Sequence, residues 1–192
     1  MSLFTTALGL LTGTLFAATP AAVDLCAKAE ANPDGRIALV ETEKDGMKGV
    51  LACEYVGGTT AETYAILTDY PSYPRWFNKI EKVDARWETP DRALVTYRLA
   101  TTFGKISYTL RRTHIRNVSV VWDYAGGDLK NSTGSYRFRP ASDPKDSWFM
   151  LEYYMGAPRG VPAFVENYMT KKVSRQLLDD IRSEVARRQK KP

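Results

Sequence analysis

The chain has 192 residues, a length that suits one domain with a substantial core and leaves no room for two ordinary domains. Its 27 basic and 22 acidic side chains give a net charge of +5, and the whole excess lies in residues 156–192. Nucleic-acid-binding domains usually carry basic residues across one face, so this distribution argues against a nucleic-acid partner. Two cysteines and one histidine exclude a zinc finger or an all-histidine metal site, and we expect neither a metal nor a cofactor.

The N-terminal segment, residues 1–22, carries no charged side chain. Its apolar run and the small residues before Ala21 and Ala22 are typical of a cleaved signal peptide, although no basic residue follows Met1. This interpretation predicts an exported protein, periplasmic or secreted. An uncleaved membrane anchor and a buried apolar arm are the alternatives.

The two cysteines, Cys26 and Cys53, would then meet an oxidising compartment. A disulfide between them would close a loop of about 27 residues and stabilise the fold by roughly 3 kcal/mol. Two free thiols, with Cys53 buried inside a strand, are the alternative.

The first part of the chain reads as a helix and a hairpin followed by short helical pieces. A hairpin turn at Lys44-Asp45-Gly46 joins two strands, and Thr59 or Thr60 can cap a short helix. Pro71 and Pro74 allow only a broken helical turn after it. The predicted elements are a helix over 23–31, strands over 37–43 and 47–56, and a helix over 61–68.

From residue 80 the apolar pattern has a period of two, interrupted by short breaks, which indicates an antiparallel meander. One long amphipathic helix, from Ala163 to about Arg188, closes the chain. The predicted strands are 80–88, 92–101, 104–115, 118–126, 133–140 and 147–156.

This order resembles the START-like or SRPBCC superfamily, within it the polyketide cyclase/coenzyme Q-binding group. The run from Ala61 to Trp76 looks like that group's motif, an apolar helix ending in Leu-Thr-Asp-Tyr before a tyrosine–proline turn. The resemblance covers residues 37–188, after a signal peptide (1–22) and an N-terminal segment (23–36), and leaves a basic tail (189–192). It implies an α+β helix-grip fold: a curved antiparallel sheet of six to seven strands around one C-terminal helix, with short helices after the first strand.

The resemblance also implies a function, because members of the family bind or act on apolar molecules in a cavity beneath the long helix. We therefore expect this chain to bind a hydrophobic small molecule of the lipid, sterol or quinone class, for transport or sequestration in the cell envelope. Binding is favoured over catalysis, and no catalytic residue carries over by position. The alternatives are a cyclase/aromatase-type enzyme using Tyr108, Tyr97, Arg112 or His114, and an interaction protein with a filled core.

Strand alternation and the helix stripe predict which side chains face that cavity. The inward set is apolar and aromatic, as expected of a pocket for a large apolar ligand, although a filled core has the same pattern. The predicted ligand-binding residues are Val95, Tyr97, Leu99, Ile106, Tyr108, Leu110, Trp122, Tyr136, Phe138, Leu151, Tyr153, Phe164 and Met169.

Four further residues are assigned to the cavity rim or gate. Trp76 and Phe77 follow the proline turn, where they either dip into a lipid interface or plug the sheet edge. Arg112 and His114 continue the inward face after Leu110, and we favour a bulge that turns both to solvent over a charged pair at the pocket mouth.

The basic helix end, which includes Arg182, Arg187 and Arg188, allows two interpretations. It is either a solvated helix terminus, where the helix dipole favours cations, or a surface that makes transient contact with an anionic membrane.

Overall fold

The structure is a computed structural model that describes five stretches of the chain. For residues 20–24, 101 and 163–173 it describes the secondary structure but not the side chains. Most of the predicted signal segment and the side chains of Phe164 and Met169 therefore lie outside the described residues. The described stretches are residues 20–31, 37–101, 104–129, 131–156 and 163–190.

The described stretches form three α-helices, a short 3₁₀ helix and a single antiparallel sheet. In chain order the elements are α1 (Pro20–Ala31), β1 (Ile37–Lys44), β2 (Met47–Gly57), α2 (Thr60–Thr68), the 3₁₀ helix (Tyr70–Arg75), β3 (Ile80–Thr89), β4 (Arg92–Thr101), β5 (Gly104–Ile115), β6 (Ser119–Gly127), β7 (Ser132–Pro140), β8 (Asp146–Met155) and α3 (Ala163–Gln189).

The sheet runs in the order β1-β2-β8-β7-β6-β5-β4-β3, and every pair of neighbours is antiparallel. The strands from β3 to β8 follow one another as a meander, and β2 returns to pair with β8. The curved sheet does not close, because β1 and β3 stand at its two edges and, among the described residues, each pairs with one neighbouring strand. Its concave face carries the larger hydrophobic core, whose members include Val50, Val95, Leu110 and Leu151.

The predicted α+β helix-grip fold is confirmed, with two adjustments. The sheet has eight strands rather than six to seven, because all eight strands predicted from the apolar pattern join it, including the edge strand β1. The short helices follow β2, the second strand, rather than the first. Thr59 is the cap of α2: its hydroxyl accepts from the backbone N–H of Glu62, whose carboxylate accepts from the Thr59 N–H.

Helix α3 packs across the concave face through its C-terminal half. Leu178, Ile181 and Val185 are fully buried against the larger core. No helix in the described stretches is long and apolar enough to cross a membrane.

Ion pairs at the end of α3 fix it to the rest of the domain. Glu54 of β2 is fully buried beneath the helix and accepts from Arg182 Nη1 at 3.1 Å. Arg188 reaches Asp69 Oδ2, at the end of α2, at 2.9 Å. Arg187 pairs with Glu184 within α3, so Arg182, Arg187 and Arg188 of the basic helix end each have an acidic partner in the fold.

Helix α1 covers part of the convex face, the side of the sheet opposite α3. Leu25 and Ala29 pack against Leu51, Trp148 and Met150, which point outward from β2 and β8. In this layer Cys26 and Cys53 are joined in a disulfide, and both are buried. The bond therefore connects α1 to the centre of β2, at a strand that α3 contacts from the other side.

We expect the double variant Cys26→Ala/Cys53→Ala to lose about 3 kcal/mol of unfolding free energy, because a cross-link over 27 residues restricts the unfolded chain. Chemical denaturation of the oxidised protein and of the double variant measures the difference. Dithiothreitol should destabilise the wild type by a similar amount and leave the double variant unchanged. Equal stability of the two proteins would show that the disulfide contributes nothing.

Candidate functional site

The concave face brings the predicted strand residues together on one wall beneath α3. Most are almost fully buried, and four others keep part of their surface exposed. The buried ones are Val95, Tyr97, Leu110, Trp122, Tyr136, Phe138 and Leu151; the partly exposed ones are Leu99, Ile106, Tyr108 and Tyr153.

The four partly exposed residues form what we call the accessible half of the wall: Leu99, Ile106, Tyr108 and Tyr153. They lie at one end of the sheet, where β4 turns into β5 and where β8 ends. Leu99 pairs across the strands with Ile106. At the opposite end, α2, the 3₁₀ helix and the C-terminal half of α3 cover the wall. The buried residues of these three helices belong to the same hydrophobic core as the buried residues of the wall.

Tyr108 and Tyr153 combine deep placement with remaining exposure. Both rings pack against the larger core, Tyr108 beside Tyr97 and Tyr153 beside Trp122, and burial raises the pKa of both phenols well above the ordinary value of 10.0. Both nevertheless retain accessible surface. Side chains that are deep in a protein but incompletely covered are typical of the lining of a cavity or cleft.

Arg112 lies in the buried half of the wall, inside a cage of aromatic rings. Its guanidinium carbon is 5.0 Å from the ring centre of Trp122, 5.2 Å from that of Tyr136, and 5.4 Å from those of Tyr70 and Tyr97. These distances allow cation–π attraction on several sides.

The donors inside this cage are only partly satisfied. Arg112 Nε and Nη1, Trp122 Nε1 and the Tyr97 hydroxyl are buried and have no hydrogen-bond partner among the described residues. Burial raises the pKa of Tyr70 to about 12, although the Arg112 cation acts in the opposite direction. Burial also raises the pKa of Tyr97, so the phenols of Tyr70 and Tyr97 are neutral at pH 7, and the arginine is charged. The centre of the cage can donate hydrogen bonds to a further acceptor.

His114 lies one step further along β5, between two tyrosines. The Tyr70 hydroxyl is 3.0 Å from Nε2 and the Tyr64 hydroxyl is 3.3 Å from Nδ1. The Trp87 ring lies beside the imidazole, with 4.9 Å between ring centres. Burial, and then the charge of Arg112, lower the pKa of His114 to about 4. The imidazole is therefore neutral at pH 7.

The expectation that a bulge turns Arg112 and His114 to solvent is wrong. Both side chains are buried and point to the concave face, in phase with Leu110. The pairing of β5 with β6 does contain a bulge, but the extra residue is Ala125 of β6, opposite Thr109 and Leu110. Because β5 itself stays regular, its alternation continues to the end of the strand.

We expect His114 to make stability depend on pH. Its pKa is lower in the folded state than the ordinary 6.5, so the unfolded chain takes up the proton first as the pH falls. The contribution of His114 to the unfolding free energy is complete above pH 6.5 and is lost as the pH falls toward 4, and this loss amounts to about 3 kcal/mol. Denaturation of wild type and His114→Gln at pH 7.5 and pH 4 measures it as a difference between the two proteins.

The comparison with a variant is necessary because Glu54 acts in the opposite direction. Burial outweighs the attraction of Arg182 and raises the pKa of Glu54 to about 8, so its contribution is lost as the pH rises from 4.5 to 8. Because Glu54 is present in both proteins, its contribution cancels when their changes in stability are subtracted. If wild type and His114→Gln lose the same stability on acidification, His114 is not buried in its neutral form.

Trp76 and Phe77 both pack against the larger core, and Trp76 keeps part of its surface exposed. Phe77 is buried in the larger core, next to Tyr73, with 4.7 Å between ring centres. Trp76 stacks on Phe77 at 4.0 Å and donates from Nε1 to Ser72 Oγ at 3.0 Å. The pair therefore packs beside the 3₁₀ helix, just before β3, whose first residue pairs with Leu99 of the accessible half.

Sequence reasoning missed three participants of the site. Tyr70 and Tyr73 lie in the motif from Ala61 to Trp76 but were not predicted as site residues. Both are fully buried and face Arg112. Glu54 stands between Ala52 and Val56 on the inward face of β2. An acidic residue at an inward position of an apolar strand is a signal that could have identified it.

Comparison with known proteins agrees with this geometry. The family model for polyketide cyclase / dehydrase and lipid transport matches residues 56–182, more than half of the chain. Comparison with curated proteins gives no match.

Solved structures share the fold at low sequence identity. The Zhui aromatase/cyclase from Streptomyces sp. R1128 is 14% identical, with a TM-score of 0.63 over 81% of this chain and 97% of that one. A STAR-related lipid transfer protein from Xanthomonas axonopodis is 9% identical, with a TM-score of 0.69 over 79% and 94%. A START superfamily protein from Mycobacterium smegmatis is 14% identical, with a TM-score of 0.62 over 72% and 97%.

These matches confirm the resemblance to the START-like superfamily that the sequence indicated. The structures contribute evidence for the fold, and the family model contributes the membership. The chain belongs to the polyketide cyclase / dehydrase and lipid transport family.

Proposed function

We propose that this protein binds a hydrophobic small molecule of the lipid, sterol or quinone class between the concave face of its sheet and α3. The observation that carries the proposal is the placement of Tyr108 and Tyr153, which pack against the larger core and yet stay partly exposed. With Leu99 and Ile106 they offer apolar and aromatic surface to a ligand. Each Å² of apolar surface removed from water contributes about 25 cal/mol to binding.

The relatives support the same class of ligand. One similar structure is named as an aromatase/cyclase and another as a STAR-related lipid transfer protein, and the family name includes lipid transport. A carrier and a cyclase of this family would both need an apolar cavity. We infer that the cavity is the shared element, and that this chain uses it to carry or sequester its ligand.

We further propose that the protein works in the cell envelope. The uncharged apolar segment 1–22 is typical of an export signal. The disulfide between Cys26 and Cys53 supports an oxidising compartment. In an aqueous envelope compartment, an apolar molecule needs a carrier that excludes water from it.

An enzyme of the cyclase/aromatase type is the second candidate, favoured by the convergence of polar groups at one place. Arg112, Tyr70 and His114 meet at the buried end of the wall, with Tyr70 contacting both of the others. An arginine can stabilise an enolate, and a neutral imidazole can accept a proton. Turnover of an aromatic polyketide-like substrate that stops in His114→Gln would favour this candidate.

The proposal is tested by the mass of the protein as it is isolated. We would purify it from the cells that make it, without detergent, and compare its native mass with its denatured mass. The proposal predicts an excess mass, in a stoichiometric amount, that is released as an apolar molecule. A protein that is free of ligand, and that takes up nothing from a total lipid extract, would contradict it.

A further inference from the structure

We propose that Arg112 binds an acidic headgroup of the ligand, a carboxylate or a phosphate. This inference rests on the proposed function and specifies it: the ligand is an apolar molecule with one anionic end. The hydrocarbon part would occupy the accessible half of the wall, and the headgroup would lie in the aromatic cage around Arg112.

The first argument is the kind of polar atoms that the cage contains. Arg112 Nε, Arg112 Nη1 and Trp122 Nε1 can only donate, and the Tyr97 hydroxyl can donate as well. None of them has an acceptor among the described residues. A buried donor without an acceptor costs free energy, so a group of four favours a ligand that brings acceptor oxygens.

The second argument is charge. Arg112 is only 3% exposed, and none of the ion pairs found in the described residues includes it. The side chains that surround its guanidinium are aromatic rings, those of Tyr70, Tyr97, Trp122 and Tyr136, and none of these is a carboxylate. A buried cation without a counter-ion is costly. An anionic headgroup compensates that charge, whereas a neutral hydroxyl or carbonyl can only accept a hydrogen bond.

The third argument is position. The Tyr97 ring stacks on Tyr108, with 5.2 Å between centres and 22° between planes. The Trp122 ring contacts Tyr153 at 6.3 Å. One layer of rings therefore separates Arg112 from the accessible half, and the headgroup reaches the guanidinium by displacing a ring of that layer. The cation–π contacts hold the arginine in place before the ligand arrives.

The experiment compares ligands with the same chain and different ends. A neutral fluorescent probe, N-phenyl-1-naphthylamine, reports occupation of the apolar site. Tetradecanoate, tetradecyl phosphate and tetradecanol compete with it at pH 8, below their aggregation concentrations. We expect either or both anions to displace the probe at concentrations at least about tenfold below that of the alcohol. The carboxylate and phosphate arms identify which headgroup is preferred.

Two variants localise the effect. Arg112→Gln removes the charge and should reduce the preference for the anion over the alcohol to within about twofold, each competition being measured against the probe affinity of the same variant. Arg111→Gln is the matched control, because Arg111 is the next residue of β5, faces outward and pairs with Glu88 at the surface. It should behave as the wild type does. Circular dichroism and thermal unfolding verify that both variants are folded.

A measurement on the wild type alone covers the case in which Arg112→Gln does not fold. Carbon-13 NMR of carboxyl-labelled tetradecanoate gives the pKa of the bound headgroup. Contact with Arg112 should lower it below that of the free acid, whereas an apolar surrounding would raise it. A raised pKa, or equal displacement by anion and alcohol, overturns the inference while the proposed function stands. A wild type that binds neither the probe nor any of the three ligands overturns both.

Discussion

Replacing Ile106 with tryptophan should lower the affinity for N-phenyl-1-naphthylamine or a bound lipid at least about tenfold. Ile106 is partly exposed on the accessible half and lies opposite Leu99. A larger ring there would occupy the space that we assign to the ligand. Because the isoleucine is incompletely covered, the ring can be accommodated, and unfolding free energy should change by less than about 1.5 kcal/mol.

The matched control is Lys105→Trp. Lys105 is the preceding residue of β5, its side chain is 80% exposed, and it forms only a surface ion pair with Glu81 at 3.1 Å. Such a pair contributes about 0–1 kcal/mol. Probe titration and chemical denaturation of both variants separate the two faces of the strand. Equal affinities of the two folded variants would mean that the inward side of β5 does not contact the ligand.

Replacing Gly134 with alanine should destabilise the protein by about 3 kcal/mol or more. A Cβ atom at Gly134 would collide with the backbone oxygen of Glu152 and with the ring of Trp122. The ring is one wall of the cage around Arg112, and the backbone oxygen belongs to the neighbouring strand. Neither can move without disturbing the sheet, so the cost should appear as a loss of global stability.

Gly57→Ala serves as the comparison, since it is also a glycine in a strand. Its added Cβ would come no closer than 3.4 Å to the Gln189 side chain, which can move. Denaturant unfolding should show less than about 1 kcal/mol of change for this variant. If Gly134→Ala is as stable as Gly57→Ala, Trp122 is not packed against β7 as described.

The period of the apolar residues was sufficient to predict the strands and their inward faces. In β4, Val95 and Tyr97 alternate with exposed or partly exposed neighbours, so a single sequence contains the information. The two prolines after Asp69 likewise limited that segment to a short helical piece, which the structure has as a 3₁₀ helix.

The orientation of Arg112 could not be predicted in this way. It depends on whether the extra residue of a bulge belongs to β5 or to β6, and both choices are compatible with the sequence of β5 alone. The structure assigns the extra residue to Ala125, and the strand that carries Arg112 and His114 stays regular. Burial of a charged residue also conflicts with the usual preference, which favoured solvent.

The second apolar layer was missed for a different reason. In β8 the run from Trp148 to Leu151 is apolar on both faces, which indicates a strand covered on two sides. Strand alternation predicted only the inward side of this strand, with Leu151 and Tyr153. Trp148 and Met150 point to the convex face, where α1 covers them and the disulfide fixes that helix to β2.

Photo-crosslinking can locate an apolar ligand on the concave face beneath α3. A neutral alkyl diazirine probe would be bound, activated and mapped by peptide mass spectrometry. We expect labels on the strands that carry Leu99, Ile106, Tyr108 and Tyr153, and their loss in Ile106→Trp. Labels confined to exposed apolar residues away from the concave face would contradict this expectation, namely Val40, Ile115 and Val118.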